Sequence, residues 1–226
     1  MAIPVLVIGR SGSGKTYSIK GFNECPDRVG VISVEKGRLP FRTTIRTTRI
    51  PKFEKSPDVK TSSQISAARY SWVQNVIEKS KTNVIVIDDS QYLLAGEFFD
   101  RAKETGYQKF TDIALNFRNL IHAINDMEDD DKIIYFLHHS ELDADGREKV
   151  KTIGKMLDEK LTVEGCFDIV LYCKDNKFYT QGDGISTAKT PEGLFDTVEI
   201  PNNLKYVDTK IREYYELETN NGKKAT

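Results

Sequence analysis

A short apolar run leading directly into Gly9-Arg10-Ser11-Gly12-Ser13-Gly14-Lys15-Thr16 constrains this chain more than any other feature it has. The octet satisfies G-x-x-x-x-G-K-[ST], and each position has a physical task. The glycines let backbone N–H groups turn inward around an anionic phosphate. Lys15 adds a point charge at the β- and γ-phosphates, and Thr16 offers a hydroxyl to Mg2+. Residues 3–8 read as a buried strand, and residues 16–22 can open a helix whose N-terminus faces the phosphate. Strand, glycine loop and helix in that order imply an α/β sheet that binds a nucleoside triphosphate at a strand's carboxyl end.

With 226 residues, the chain is sized for one large α/β domain, expected over residues 1–219 with a polar tail at 220–226. A net charge of −1 gives no global pull toward nucleic acid or an anionic membrane, so any such binding has to come from a local patch. Cys25, Cys166 and Cys173 are scattered without C-x-x-C spacing and read as reduced thiols in a cytoplasmic setting. No apolar run is long enough for a membrane span, and the N-terminus begins with a strand rather than a leader.

Strands arrive one at a time with helical stretches between them, the rhythm of a mainly parallel sheet. Residues 4–8, 28–34, 83–87 and 133–137 are the strand candidates, and 83–87 is continuous and β-branched as a central parallel strand should be. Residues 62–79 have helical spacing with Ile65, Ala68, Trp72, Val76 and Ile77 on one side; residues 110–127 have Phe110, Ile113, Phe117, Leu120, Ile121 and Ile124. Residues 151–163 can be helical, residues 166–173 and 176–180 suggest a β-hairpin, and 203–215 reads as a final helix. Asp129-Asp130-Asp131 reads as a solvated turn. Two regions resist this scheme. Residues 36–53 hold Lys36, Arg38, Arg42, Arg46, Arg49 and Lys52 with no carboxylate among them, and residues 95–110 place Phe98, Phe99, Tyr107 and Phe110 among Arg101, Lys103 and Lys109.

At the strand ends stand the P-loop, Glu35, Asp88-Asp89 and His138-His139. Asp88 after four apolar residues has the Walker B pattern of an acid that holds Mg2+. Hydrolysis also needs a carboxylate to orient or deprotonate water, and two candidates exist. Glu35 would serve as in RecA-type proteins, where the base ends the strand after the P-loop helix; Asp89 would serve in the AAA+ manner, directly after Walker B. Glu35 is the expectation, because Asp89 is one carbon shorter than the usual AAA+ glutamate. Adjacent histidines on a strand point to opposite faces and chelate one ion poorly. His139 is therefore read as a γ-phosphate sensor and His138 as a packing residue.

The order of these motifs resembles the RecA-type P-loop ATPase core, and within it the short phage-encoded single-strand annealing ATPases of the fourth Sak group. The resemblance rests on residues 9–16, 31–35, 84–88 and 136–139, and on a late segment, residues 187–195 followed by 200–204, similar to that group's C-terminal signature. It implies a mainly parallel sheet flanked by helices with a C-terminal β-hairpin. It also implies ATP and Mg2+ as cofactors, DNA-stimulated turnover, and annealing or recombination of single-stranded DNA during phage replication or repair. Arg147, Lys149, Lys151 and Lys155 after the sensor strand, and Arg101 and Lys103 after Walker B, are the implied phosphate contacts, with nearby aromatics for base stacking. Lys189 is the candidate that reaches a neighbour's ATP in a homo-oligomer, and a single-strand-binding protein is an implied partner. Residues 36–53 form a third candidate surface, or an edge strand with an outward basic face.

Three other classes compete. An AAA+ helicase loader or remodelling ATPase predicts Asp89 as base and an arginine finger beyond the sensor strand, where the only arginine after Arg147 is Arg212. A small-molecule kinase predicts an arginine-bearing lid, and residues 140–160 hold only Arg147. A regulatory nucleotide-binding protein would hydrolyse poorly and act through a protein partner.

Overall fold

The computed structural model describes residues 1–35, 37–54, 61–129, 131–154, 158 and 161–217. The predicted polar tail, Lys36, Lys155 and most of the middle of the predicted helix over 151–163 lie outside them.

Apolar runs without polar interruption make strands that are buried on both faces, and these strands form the centre of a nine-stranded sheet. In chain order the strands are β1 (Ile3–Gly9), β2 (Val29–Ser33), β3 (Arg46–Arg49), β4 (Val84–Asp88), β5 (Ile133–Leu142), β6 (Glu148–Val150), β7 (Ile169–Lys174), β8 (Lys177–Tyr179) and β9 (Glu199–Pro201). Their spatial order is β3-β2-β4-β5-β1-β7-β8-β9, with β6 paired to β5. Pairing is parallel from β3 to β7 and antiparallel beyond it, and β6 is antiparallel to β5. The predicted class, a mainly parallel sheet with a C-terminal hairpin, is the fold observed. The hairpin turn falls on Asp175-Asn176, both at positive φ as a two-residue turn requires, one residue later than expected.

Alternation along each strand splits the core in two. Leu6, Ile8, Ile85, Ile87, Ile134 and Phe136 face the helices α1 (Ser62–Lys79), α2 (Gln91–Asp100) and α3 (Gln108–Asn125). Val5, Val7, Val84, Val86, Tyr135 and Leu137 face a 3-10 helix (Thr16–Glu24) and the last helix, α4 (Leu204–Tyr214). α1 starts where its sequence predicts, closed by a reciprocal cap between Thr61 and Gln64. Its buried face is rotated, though: Ile77 is buried as expected, but Tyr70 and Val73 enter the core with it while Trp72 and Val76 are only half-buried. The helix after the P-loop is a 3-10 helix rather than an α-helix. It passes close to the end of α4: a Cβ on Gly21 would lie 1.9 Å from the Asn203 side chain, whose oxygen caps α4.

Candidate active site

Parallel pairing in register brings Gly9 opposite His139 and Ser33 opposite Asp88, so the carboxyl ends of β1, β2 and β4 meet on one rim beside His139. β5 itself runs past the expected end at His138-His139 to Leu142, where it pairs with β6. Sheet order reverses at β1, which has β5 on one side and β7 on the other, and the P-loop leaves the sheet there.

The loop is held from inside and from behind. The Lys15 ammonium, which is buried, donates to the carbonyls of Gly9 at 2.6 Å and Arg10 at 2.9 Å. Gly14 has φ +105°, and a Cβ there would lie 2.4 Å from Asn176 Oδ1 and 2.6 Å from Asn202 Nδ2. Asn202 Nδ2 donates to the Gly14 carbonyl at 3.0 Å, and the Asn176 N–H and the Cys173 thiol donate to the Ser13 carbonyl at 3.3 Å each. Burial pushes the Cys173 thiol up to about 11, so it supports the loop as a neutral donor. Arg10 Nε meets Glu148 Oε1 at 2.5 Å, and the other Glu148 oxygen accepts from Ser140 Oγ at 2.6 Å. Asn176, Asn202 and Glu148 were not among the predicted site residues. Only the expected turn at Lys174-Asp175 hinted at one of them, its neighbour Asn176; Glu148 and Asn202 reach the loop across 138 and 188 residues of sequence with no local signal.

On the hydrolysis side, Thr16 Oγ1 donates to Asp88 Oδ1 at 2.8 Å across 72 residues of sequence. Asp88 is buried at the end of β4, and Asp89 turns out of the strand at φ +60°, a left-handed position that aspartate tolerates. That turn sets Asp89 Oδ1 3.3 Å from His139 Nε2. Lys15, Thr16, Asp89 and His139 line one cavity of about 320 Å3, together with Tyr17 and Pro40. His138 faces the other way and is fully buried. Its Nε2–H donates to the Lys151 carbonyl at 2.9 Å, Ser90 Oγ lies 3.0 Å from its Nδ1, and Phe117 packs edge-on at 5.8 Å. Burial lowers its pKa to about 4, so the ring is neutral near pH 7.

Glu35 is not brought to this cavity. It is exposed beyond β2, its carbonyl accepts from Arg49 Nη2 at 3.2 Å, and it borders a separate groove with Tyr92, Arg69 and Lys52. Among the predicted DNA contacts, Arg101 is a correction: it is buried and bonded to Glu97 at 3.1 Å, Glu104 at 2.8 Å and Asp112 at 2.7 Å. Three carboxylates saturate its guanidinium, which joins α2 to α3 rather than facing a phosphate. Arg147 is held in its own turn by Asp143 and Asp145, at 3.1 and 3.2 Å. Lys149 is held by Asp158 at 2.5 Å and Glu141 at 3.5 Å. Lys103 and Lys151 are exposed. Lys189 is exposed where its backbone pairs with Val170 of β7. Arg212 is fully buried against Asp208, which removes it from the role of an arginine finger.

A hydroxyl and a carboxylate 2.8 Å apart are the hard-oxygen partial shell that Mg2+ takes beside water and phosphate, so Thr16 and Asp88 suit that ion. Among the described residues, no group of three or more His, Cys, Asp or Glu side chains is placed to hold a metal by itself.

No curated protein matches this chain. Among solved structures, one described as a prototypical ATPase from the type III secretion system of pathogenic bacteria is similar at 10% identity and a TM-score of 0.40. The match covers 75% of this chain and 50% of that one, so this chain spans about half of its length. So slight a likeness carries nothing about activity or partners. A family model described as an AAA domain matches residues 3–141, which hold the P-loop, the Walker B strand and the part of β5 that carries His139. Residues 3–141 make up more than half of the chain, and the chain belongs to this AAA-domain family of P-loop ATPases.

Proposed function

We propose that this protein binds ATP with Mg2+ and hydrolyses it, and that single-stranded DNA is the second ligand to which turnover responds. The observation that carries the ATPase half is the Thr16–Asp88 hydrogen bond at 2.8 Å, with Asp89 and His139 on the same cavity. Thr16 and Asp88 would hold Mg2+, which supplies charge neutralisation at the β- and γ-phosphate oxygens when bound. Lys15 balances charge at the same phosphates. Asp89 accepts the proton of the attacking water and His139, 3.3 Å away, orients that carboxylate and reads the γ-phosphate. Asp89 takes the role expected of Glu35 because only Asp89 lines the P-loop cavity.

The DNA half is supported by the resemblance to the phage annealing ATPases and by the exposed Lys103 and Lys151. On this reading the protein promotes annealing beside a single-strand-binding protein, and assembles with copies of itself that present Lys189 to a neighbouring site. A second reading, an AAA+ loader or remodelling ATPase, is favoured by Asp89 and weakened by the burial of Arg212. Steady-state ATP turnover with and without single-stranded DNA separates the two. Lys15→Ala and Asp89→Asn are expected to lower kcat by about 10^2- to 10^4-fold, with Glu35→Gln active. Full activity in Asp89→Asn overturns the assignment of the base. Turnover indifferent to DNA favours the loader reading.

A further inference from the structure

We infer that Arg38, Arg42, Arg46 and Arg49 form the surface that takes the phosphate backbone of single-stranded DNA; this rests on the DNA reading above and names its site. All four side chains are exposed, and among the described residues none has a carboxylate partner. Among the described residues the hydrogen bond from a guanidinium here runs from Arg49 to the Glu35 carbonyl, a neutral acceptor that carries no compensating charge. The contrast with the other cations is direct. Arg101, Arg147 and Lys149 have already exchanged water for carboxylates, and a phosphate would have to displace those partners.

The arginines stand on a fixed backbone. Leu39 and Phe41 pack against the core, Ile45 is buried, and Phe41 meets the Tyr17 ring edge-on at 6.0 Å. Thr43 Oγ1 donates to Asn23 Oδ1 at 2.5 Å, and Asn23 Nδ2 donates to the Arg42 carbonyl at 3.1 Å. Holding like charges together on an ordered segment is unfavourable by itself and becomes favourable against a polyanion. β3 is the outermost strand, and charges on it also guard an exposed edge. That purpose accounts for Arg46 and Arg49 only, because Arg38 and Arg42 lie outside the strand. Pro40, between those two, walls the same cavity as Lys15 and Thr16, so the strand-binding segment borders the nucleotide.

The test is fluorescence anisotropy of a labelled oligo(dT) across a salt series, with the same sequence as a duplex for competition. Four phosphate contacts predict a slope of log K against log[salt] of about −3, or about a 50-fold loss of affinity between 50 and 200 mM salt. Arg38→Gln/Arg46→Gln should halve that slope, while Arg38→Lys/Arg46→Lys keeps the charge and the slope, and Arg147→Gln leaves it unchanged. Circular dichroism melts show whether each variant is folded. A wild-type slope retained in the glutamine variant overturns the surface and leaves the DNA reading standing. Equal competition by the duplex overturns the single-strand assignment. No oligo(dT) binding by the wild type, with or without ATP and Mg2+, overturns the DNA reading and the surface with it.

Discussion

His138 and His139 are neighbours on β5, and the pleat gives them different chemistry. His139 reaches the P-loop cavity, and His138 is sealed between Ser90, the Lys151 carbonyl and Phe117. The His138 pKa of about 4 in the folded protein lies below the ordinary 6.5, so the unfolded chain binds a proton more readily between those two values. Stability from this group is therefore complete above pH 6.5 and is lost as pH falls toward 4, on the order of 3 kcal/mol. Denaturant melts of the wild type and His138→Gln across that window should show the wild type losing stability more steeply with acid. Parallel profiles would show that the ring is not held neutral by its site.

α2 and α3 are joined by one buried charge cluster. Glu97 on α2 is fully buried; burial raises its carboxyl, and hydrogen bonds from Arg101 and Asn116 act against that shift. Arg101 also bonds to Asp112 on α3, so a single guanidinium joins two of the three helices that cover one face of the sheet. Removing one partner of such a pair leaves an uncompensated buried charge. Arg101→Ala is expected to cost about 3–5 kcal/mol in thermal or denaturant unfolding, with oligo(dT) affinity unchanged in the folded fraction. A loss of DNA affinity without a loss of stability would return Arg101 to the DNA surface.

Across the whole molecule, the P-loop is the point where distant parts of the chain meet. Asp88, Asn176 and Asn202 all bond to it or to Thr16, from β4, the β7–β8 turn and the segment before α4. A ligand seated there should therefore stabilise the entire domain, by about 2.7 kcal/mol at a hundredfold excess over Kd. Differential scanning fluorimetry should show this shift with ATP and Mg2+, a smaller one after EDTA, and none in Lys15→Ala. An equal shift in Lys15→Ala would place the nucleotide elsewhere. No helix among the described residues is long and apolar enough to cross a membrane.

Local chemistry made the P-loop, the Walker B strand and the parallel class legible in the amino-acid order, because glycine spacing and unbroken β-branched runs have few other uses. α3 and its buried face were legible for the same reason: Phe117, Leu120, Ile121 and Ile124 recur at the helical period. α1 was legible as a helix but not by its buried face, since its apolar stripe is broad enough to be turned either way and packing on the sheet selected Tyr70 and Val73. α2 and the Arg101 cluster were hidden, because a buried arginine and an exposed one are the same letter until their carboxylates are placed. The choice between Glu35 and Asp89 was hidden likewise. Both end strands on the correct rim, and only the positive φ of Asp89 and the outward course of the chain at Glu35 decide which carboxylate faces the P-loop.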